Sequence, residues 1–213
     1  MIGPLKSTAN QNTMKLTKMR ITNITHLALA LALGVGLGAG SAQAQTIIEI
    51  GGAGVIGDDE TGNSVIAGLR AEHVDVQLVQ QLADVATPFS AVIVSAGGAR
   101  TIVNHSPTEL LAQPCPDLEV AICDAVLVDG RWPAGTTAAL SLARHRGIPG
   151  VVDIDRATVG GAVIATCLDL ASHLIVSEDA LRNLTGVSSP ADGLRRLCQD
   201  TRAHVSVTLG AQG

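Results

Sequence analysis

A chain of 213 residues suits one domain of ordinary size with a short segment to spare. A formal net charge of −5 and an aromatic content of 1% argue against a nucleic-acid platform, which needs patches of Lys and Arg for phosphate and rings on which bases stack. With 46% hydrophobic residues but one Phe, one Trp and no Tyr, the core must be built from Ala, Val, Leu and Ile, as inner strands of α/β proteins often are.

In chain order, Lys15, Lys18 and Arg20 precede an apolar run from Leu27 to Ala39, and Ser41-Ala42-Gln43-Ala44 follows. A positive segment, an apolar segment and a small-x-small site are the parts of a secretory signal peptide, with cleavage expected after Ala44. The run is too short and too rich in Gly for a membrane span. An Ala/Leu-rich helix packed on a sheet is the alternative. Residues 1–45 are therefore read as a leader, signal-like or an aberrant extension, ahead of a domain over 46–213.

From Thr46 onward, short apolar runs alternate with helical patterns. Strands are predicted at Thr46–Ile50, Ala91–Ser95, Thr101–Asn104, Ala125–Asp129, Gly150–Ile154 and Val205–Leu209, and helices at Thr61–Glu72, Ala134–Arg146, Glu178–Leu184 and Pro190–Thr201. Asp59 and Thr61 suit an N-cap, and Ser189-Pro190 gives an N-cap followed by Pro at the first helical position. Gly147 and Gly186 stand where C-terminal caps are expected. Strand–helix alternation with short connections predicts an α/β fold whose mainly parallel sheet is covered on both faces. The pair around Gly97-Gly98 differs, since two strands joined so tightly form an antiparallel hairpin.

Cys115, Cys123, Cys167 and Cys198 form no C-x-x-C pair and have no accompanying His cluster at zinc-ligand spacing. They are expected to be reduced and mostly buried thiols, and no metal site is assigned.

Gly52-Ala53-Gly54-Val55-Ile56-Gly57 matches the G-x-G-x-x-G of dinucleotide-binding domains. That fingerprint requires a helix opening within the glycines, with pyrophosphate at its N-terminus. Here the glycines run instead into Asp58-Asp59-Glu60, three negative charges beside the supposed phosphates. A second grouping of the same residues, Gly54 to Gly62, fits G-x-x-G-x-D-x-x-G. In it the glycines permit a tight turn out of a strand, and Asp59 can accept from the first amides of the next helix.

This second pattern resembles the motif of PfkB carbohydrate kinases, and further segments fall into that family's order. Ala86-Thr87-Pro88, Ala91–Ser95 and Gly98-Ala99-Arg100-Thr101-Ile102 resemble the flap hairpin that closes over the sugar, spanning about 86–105. Ala125–Asp129 with Gly130-Arg131-Trp132 is similar to the central strand whose carboxyl end faces substrate. Gly147 to Asp155 resembles the next strand, ending in Asp153 and Asp155, which are expected to cap the following segment in preference to holding Mg²⁺ through water. His173–Gly186 resembles the N-x-x-E segment, and Val207–Gly213 resembles the T-x-G-x-x-G turn that approaches nucleotide phosphate.

The resemblance implies a ribokinase-like three-layer fold, incomplete at both ends, and transfer of the γ-phosphate of ATP, with Mg²⁺, to a sugar hydroxyl. Within the family, Gly57–Ser64, Arg100–Asn104, Asp129–Trp132 and His173–Gly186 are most similar to sulfofructose kinases, implying 6-deoxy-6-sulfofructose as substrate. Asn104 and Arg131 then map to the groups that engage the sulfonate, with Asp129 beside them; Thr208, Gly210, Gly213 and Ser177 map to the nucleotide side. A guanidinium and an amide suit a tetrahedral anion on chemical grounds as well.

Departures are as informative. Ser177 and Ala180 occupy the N-x-x-E positions, with Glu178 adjacent, which favours the sulfofructose subgroup. The first substrate-binding strand is not recognisable before Thr46. The G-A-G-D segment that carries the family's catalytic base does not occur before Gly213, so these residues are expected to show little or no phosphoryl transfer and marginal solubility. The resemblance further implies a cytoplasmic setting, no nucleic-acid partner, no membrane span, and self-association through the flap. An exported non-catalytic ligand-binding domain and an NAD(P)-binding domain remain open at this point.

Overall fold

The computed structural model describes residues 50–98, 100–119, 123–155 and 160–210, and those up to Leu209 belong to one compact unit. The first element, β1 (Ile50–Gly57), is the glycine-rich run itself. The expected strand at Thr46–Ile50 thus falls almost wholly outside the described residues, and the glycines lie within a strand where a turn was expected. They are accommodated because β1 pairs in parallel with β2 (Val74–Leu82), with a register shift between Gly51 and Ala53. Sequence reasoning missed β2, although Val74, Val76 and Leu78 alternate with polar residues as a half-buried strand requires.

Between these strands lies α1 (Glu60–Ala71), capped by the Asp59 carboxylate, which accepts from the Gly62 N–H at 2.7 Å. Of the two expected caps, only Asp59 serves. The same carboxylate accepts from the Thr87 hydroxyl at 2.6 Å and the Thr87 N–H at 2.8 Å. Thr87 is only 4% exposed, and its hydroxyl oxygen also accepts from the Gly57 N–H at 3.1 Å. The glycines of the motif are explained by the same junction. A Cβ on Gly57 would strike the Val85 and Thr87 backbone, and one on Gly62 would strike the Gly57 carbonyl and lie 2.8 Å from the Thr87 hydroxyl. A dinucleotide-binding arrangement does not fit: the glycine run lies within β1, and the helix opens only at Glu60.

After Thr87-Pro88 the chain forms the antiparallel hairpin β3 (Phe89–Val94) and β4 (Arg100–His105), pairing Phe89 with His105 and Ser90 with Asn104 at its root. A short helix, α2 (Thr108–Leu111), buries Leu110 and packs on β1. The chain then crosses to a four-stranded parallel sheet of β5 (Val126–Val128), β6 (Gly150–Ile154), β7 (His173–Ser177) and β8 (His204–Thr208), in that spatial order. The strand β7, which sequence reasoning did not single out, sits in its interior.

The connecting helices are α3 (Pro133–Arg146), α4 (Gly161–Leu170), α5 (Glu178–Thr185) and α6 (Pro190–Leu197). Gly147 and Gly186 end α3 and α5 in the left-handed conformation, and Ser189 caps α6, as expected. The helix α4 was missed because its composition is mostly apolar, with Asp169 as its one charged residue, and its N-cap, Gly160, offers no side-chain cap. Leu140 of α3, Val163 and Cys167 of α4, Ala180 and Leu181 of α5 and Leu197 of α6 join Val152, Ile154, Leu174 and Val176 in one apolar cluster. Residues two apart on a strand share a face, so this cluster forms on one face of the sheet, while Val151, which points to the other face, is buried as well. Of the four thiols, Cys167 is buried, Cys115 and Cys123 are half-buried, and Cys198 is exposed; all are free. Burial raises the Cys167 pKa to about 11, consistent with a thiol that serves packing.

The Asp59 carboxyl is held below its ordinary 3.8, chiefly by the Thr87 hydroxyl and amide. Its contribution is therefore complete above that value and is lost as the pH falls through the depressed pKa. Thr87→Val, which keeps the shape and removes the hydroxyl, is expected to cost about 1–3 kcal/mol because the buried Gly57 N–H loses its acceptor. Urea denaturation at pH 7 measures this, and Thr87→Ser should restore most of the loss.

Candidate functional site

Functional groups in this fold gather at the carboxyl ends of the parallel strands, where the chain leaves each strand for its helix. After β5 the chain turns through Asp129-Gly130-Arg131-Trp132. Gly130 takes a positive φ of 71°, and the Asp129 carboxylate accepts from the Arg131 N–H at 3.0 Å. Trp132 precedes Pro133 at the start of α3, and its indole N–H donates to the Gln113 carbonyl at 2.8 Å. Its ring lies where a side chain on Gly135 would be, so Gly135 is required for the indole to seat. Gln80 of β2 donates to the Pro114 carbonyl at 3.0 Å, tying the same segment to the first sheet.

The Arg131 side chain is thereby held between two acids. Its Nη2 donates to Asp155 at 2.9 Å, and its Nε lies 3.6 Å from Asp129. Asp153, one strand position before Ile154, stands in the same group. Burial, then the charges of Asp155 and Asp129, push its pKa above the ordinary 3.8, with Arg131 opposing. The segment just after these acids, residues 156–159, which they were expected to cap, lies outside the described residues. Among the described residues, helix α4 begins after Gly160 with no side-chain cap, and Asp155 pairs with Arg131.

Asn104 and Arg131, 27 positions apart in the sequence (131 − 104), line one cavity of about 380 Å³ with Pro88, Phe89, Ser90, His105, Ser106 and Leu111. The cavity lies at the root of the hairpin. Its polar donors come from Asn104, Arg131 and the two serines, and Phe89 and Leu111 supply apolar wall. Phe89 and His105 stack at 5.2 Å between ring centroids, closing the root from one side. Asp129 meets the site through Arg131. Sequence reasoning missed Ser90, His105, Ser106 and Leu111; only the hairpin register, which sets Ser90 opposite Asn104, could have pointed to Ser90.

On the expected nucleotide side, Ser177 and Thr208 are register partners at the carboxyl ends of β7 and β8. The Ser177 hydroxyl caps α5, accepting from the Ala180 N–H at 3.2 Å, so it has a structural duty whatever else it does. Gly210 has a positive φ of 58°, a conformation that favours glycine. Gly213 lies outside the described residues. Among the described residues no group of three or more His, Cys, Asp or Glu is arranged to hold a metal ion, and no helix is long and apolar enough to cross a membrane.

Residues 27–213 match the family model described as pfkB family carbohydrate kinase. The chain belongs to that family. It is similar to mouse (Mus musculus) ribokinase, at 25% identity over 174 residues, covering 74% of this chain and 51% of that protein. Among solved structures, a protein of Agrobacterium tumefaciens assigned as a ribokinase matches with a TM-score of 0.68 and 28% identity, over 76% of this chain and 54% of that one. An E. coli protein assigned as ribokinase II, solved with ATP and Mg²⁺, shares the fold with a TM-score of 0.62 at 19% identity, over 78% of this chain and 58% of that one. The pfkB-family chain thus spans about half the length of the curated relative it matches.

The acid cluster has a measurable signature. Because the folded-state pKa of Asp153 lies above its unfolded value, stability is greater below that interval and declines as the pH rises through it. Carboxyl NMR titration should find Asp153 titrating above 3.8, higher still in Arg131→Ala and lower in Asp155→Asn. Unchanged titration in both variants would show that the three side chains are not coupled.

Proposed function

We propose that the chain carries the sugar-seating part of an ATP-dependent sugar kinase, with the sugar at the hairpin root, and that by itself it transfers little or no phosphate. The observation that carries this is the convergence of Asn104 and Arg131 on one cavity beneath a hairpin that continues directly from the Asp59–Thr87 anchor. A polyol there meets the Asn104 amide and the Arg131 guanidinium, with the Asp129 carboxylate beside Arg131, groups of the kind that sugar hydroxyls need. The finer reading is 6-deoxy-6-sulfofructose, with Arg131 as forked donor and Asn104 as an additional donor to the sulfonate.

ATP is assigned to the carboxyl ends of β7 and β8, with Thr208, Gly210, Gly213 and Ser177 on the phosphate side. Glycines there allow backbone amides to approach phosphate oxygens closely. Mg²⁺, when bound with the nucleotide, would neutralise developing charge on the phosphates. The described residues present no dedicated set of ligands for it, so it would be held largely by the phosphates, and no step is assigned to it here. The residues at hand supply positioning: the hairpin covers the sugar, and Asp129 and Asp155 hold Arg131 in place.

The hairpin also bears on assembly. Val92, Ile93, Val94, Ile102 and Val103 are each more than half exposed, an apolar surface on both of its faces. Pairing of two hairpins in a homodimer would cover part of it. A cytoplasmic setting, where ATP is abundant, accompanies the proposal.

Trp132 is the chain's one tryptophan and adjoins Arg131, so its fluorescence reports on sugar binding. Titration with 6-deoxy-6-sulfofructose is expected to give saturable quenching or enhancement. Arg131→Ala should weaken binding by about 10- to 100-fold, the loss of one charge-assisted contact. Equal affinity of wild type and Arg131→Ala would overturn the assignment of the pocket.

A further inference from the structure

Asn104 offers one acceptor and two donors on a planar amide, and which edge meets a ligand decides what that ligand must be. In the structure the acceptor edge is turned to Ser90. Ser90, its cross-strand register partner, donates from its hydroxyl to Asn104 Oδ1 at 2.7 Å. Both residues line the same cavity as Arg131. With Oδ1 turned to Ser90, the Nδ2 donors form the opposite edge of the amide.

We propose that Ser90 is a positioning residue that sets substrate class: by engaging Asn104 Oδ1 it fixes the direction of the amide, so that the Nδ2 donor edge is the one presented to the sugar and an oxyanion substituent is favoured over a hydroxyl that must donate. This rests on the sugar-binding reading of the pocket. The consequence is a division of labour. Arg131, already flanked by Asp155 and Asp129, brings a guanidinium whose charge is largely offset by its neighbours. The uncompensated donors for a sulfonate or phosphate then come from Asn104, and they are aimed only while the Ser90 hydroxyl is present. Removing that hydroxyl frees the amide to turn over, and the turned amide presents a carbonyl oxygen that repels an oxyanion and accepts from a neutral sugar.

The test compares Ser90→Ala, Ser90→Thr and Asn104→Ala with wild type, by Trp132 fluorescence titration with 6-deoxy-6-sulfofructose, fructose 6-phosphate and fructose. Ser90→Ala is expected to lower affinity for the two anionic sugars about three- to tenfold, the range of one neutral hydrogen bond, with fructose unchanged or improved. Ser90→Thr should retain the wild-type ratio, and Asn104→Ala should lose the anion preference outright. An effect of Asn104→Ala with none of Ser90→Ala on the ratio would overturn the positioning role while leaving the pocket assignment standing. Failure of wild type to bind any of the three sugars would overturn the pocket assignment and this inference with it. A readout independent of sugar is the Asn104 side-chain amide pair in a ¹⁵N NMR spectrum of the unliganded chain. It should shift in Ser90→Ala and stay near its wild-type position in Ser90→Thr; no shift in Ser90→Ala would show that the hydroxyl does not hold the amide.

Discussion

One carboxylate, that of Asp59, organises the first half of the fold. It accepts from the Gly62 amide, the Thr87 amide and the Thr87 hydroxyl, so it closes the start of a helix and the start of the hairpin in one place. The Thr87 hydroxyl, the Thr87 amide and the Gly62 amide lower its pKa and outweigh the opposing effect of burial. The hairpin that overhangs the cavity has exposed apolar faces and pairs only within itself among the described strands. A two-stranded hairpin of that kind is marginal alone in water. Its root therefore depends on the Asp59–Thr87 anchor, and the cavity depends on its root.

The second half of the fold solves a different problem, that of aiming a flexible Arg. Exposed ion pairs contribute little stability, commonly less than about 1 kcal/mol each. Their value at Arg131 is geometric. Asp129 fixes the turn by accepting from the Arg131 amide, and Asp155 reaches from the end of the neighbouring strand to the guanidinium. Trp132 and Gly135 lock the base of the same turn. The cost appears at Asp153, whose ionisation is disfavoured by burial and by the two acids nearby. A site that keeps three carboxylates around one guanidinium is poised to exchange protein contacts for ligand contacts, since hydroxyl donors and oxyanion acceptors both find partners there.

Family membership and site chemistry rest on different foundations. The match over residues 27–213 settles the family, and likeness to solved ribokinase-type structures settles the fold. Neither reaches the choice of sugar, because such a choice turns on one or two hydrogen bonds at the hairpin root. Ser90 illustrates this: a small residue in an otherwise apolar strand, whose meaning comes only from what lies opposite it.

Local chemistry made much of this protein legible from sequence. The G-x-x-G-x-D-x-x-G run announced a cap at Asp59, Gly147 and Gly186 marked helix ends, Ser189-Pro190 marked a helix start, and Gly97-Gly98 marked a hairpin, because caps and tight turns are set by residues adjacent in the chain. The strands β2 and β7 and the helix α4 were less legible. The first two are fixed by parallel partners distant in sequence, and α4 has neither an amphipathic face nor a side-chain cap to declare it. The site divides in the same way. Asn104, Arg131 and Asp129 could be nominated from their residue types and setting, but their meeting in one cavity, the grip of Asp155 on Arg131 and the hold of Ser90 on Asn104 were decided by strand register and tertiary packing. A side chain's chemistry belongs to the sequence, whereas its partner is chosen by whatever the fold brings within about 3 Å.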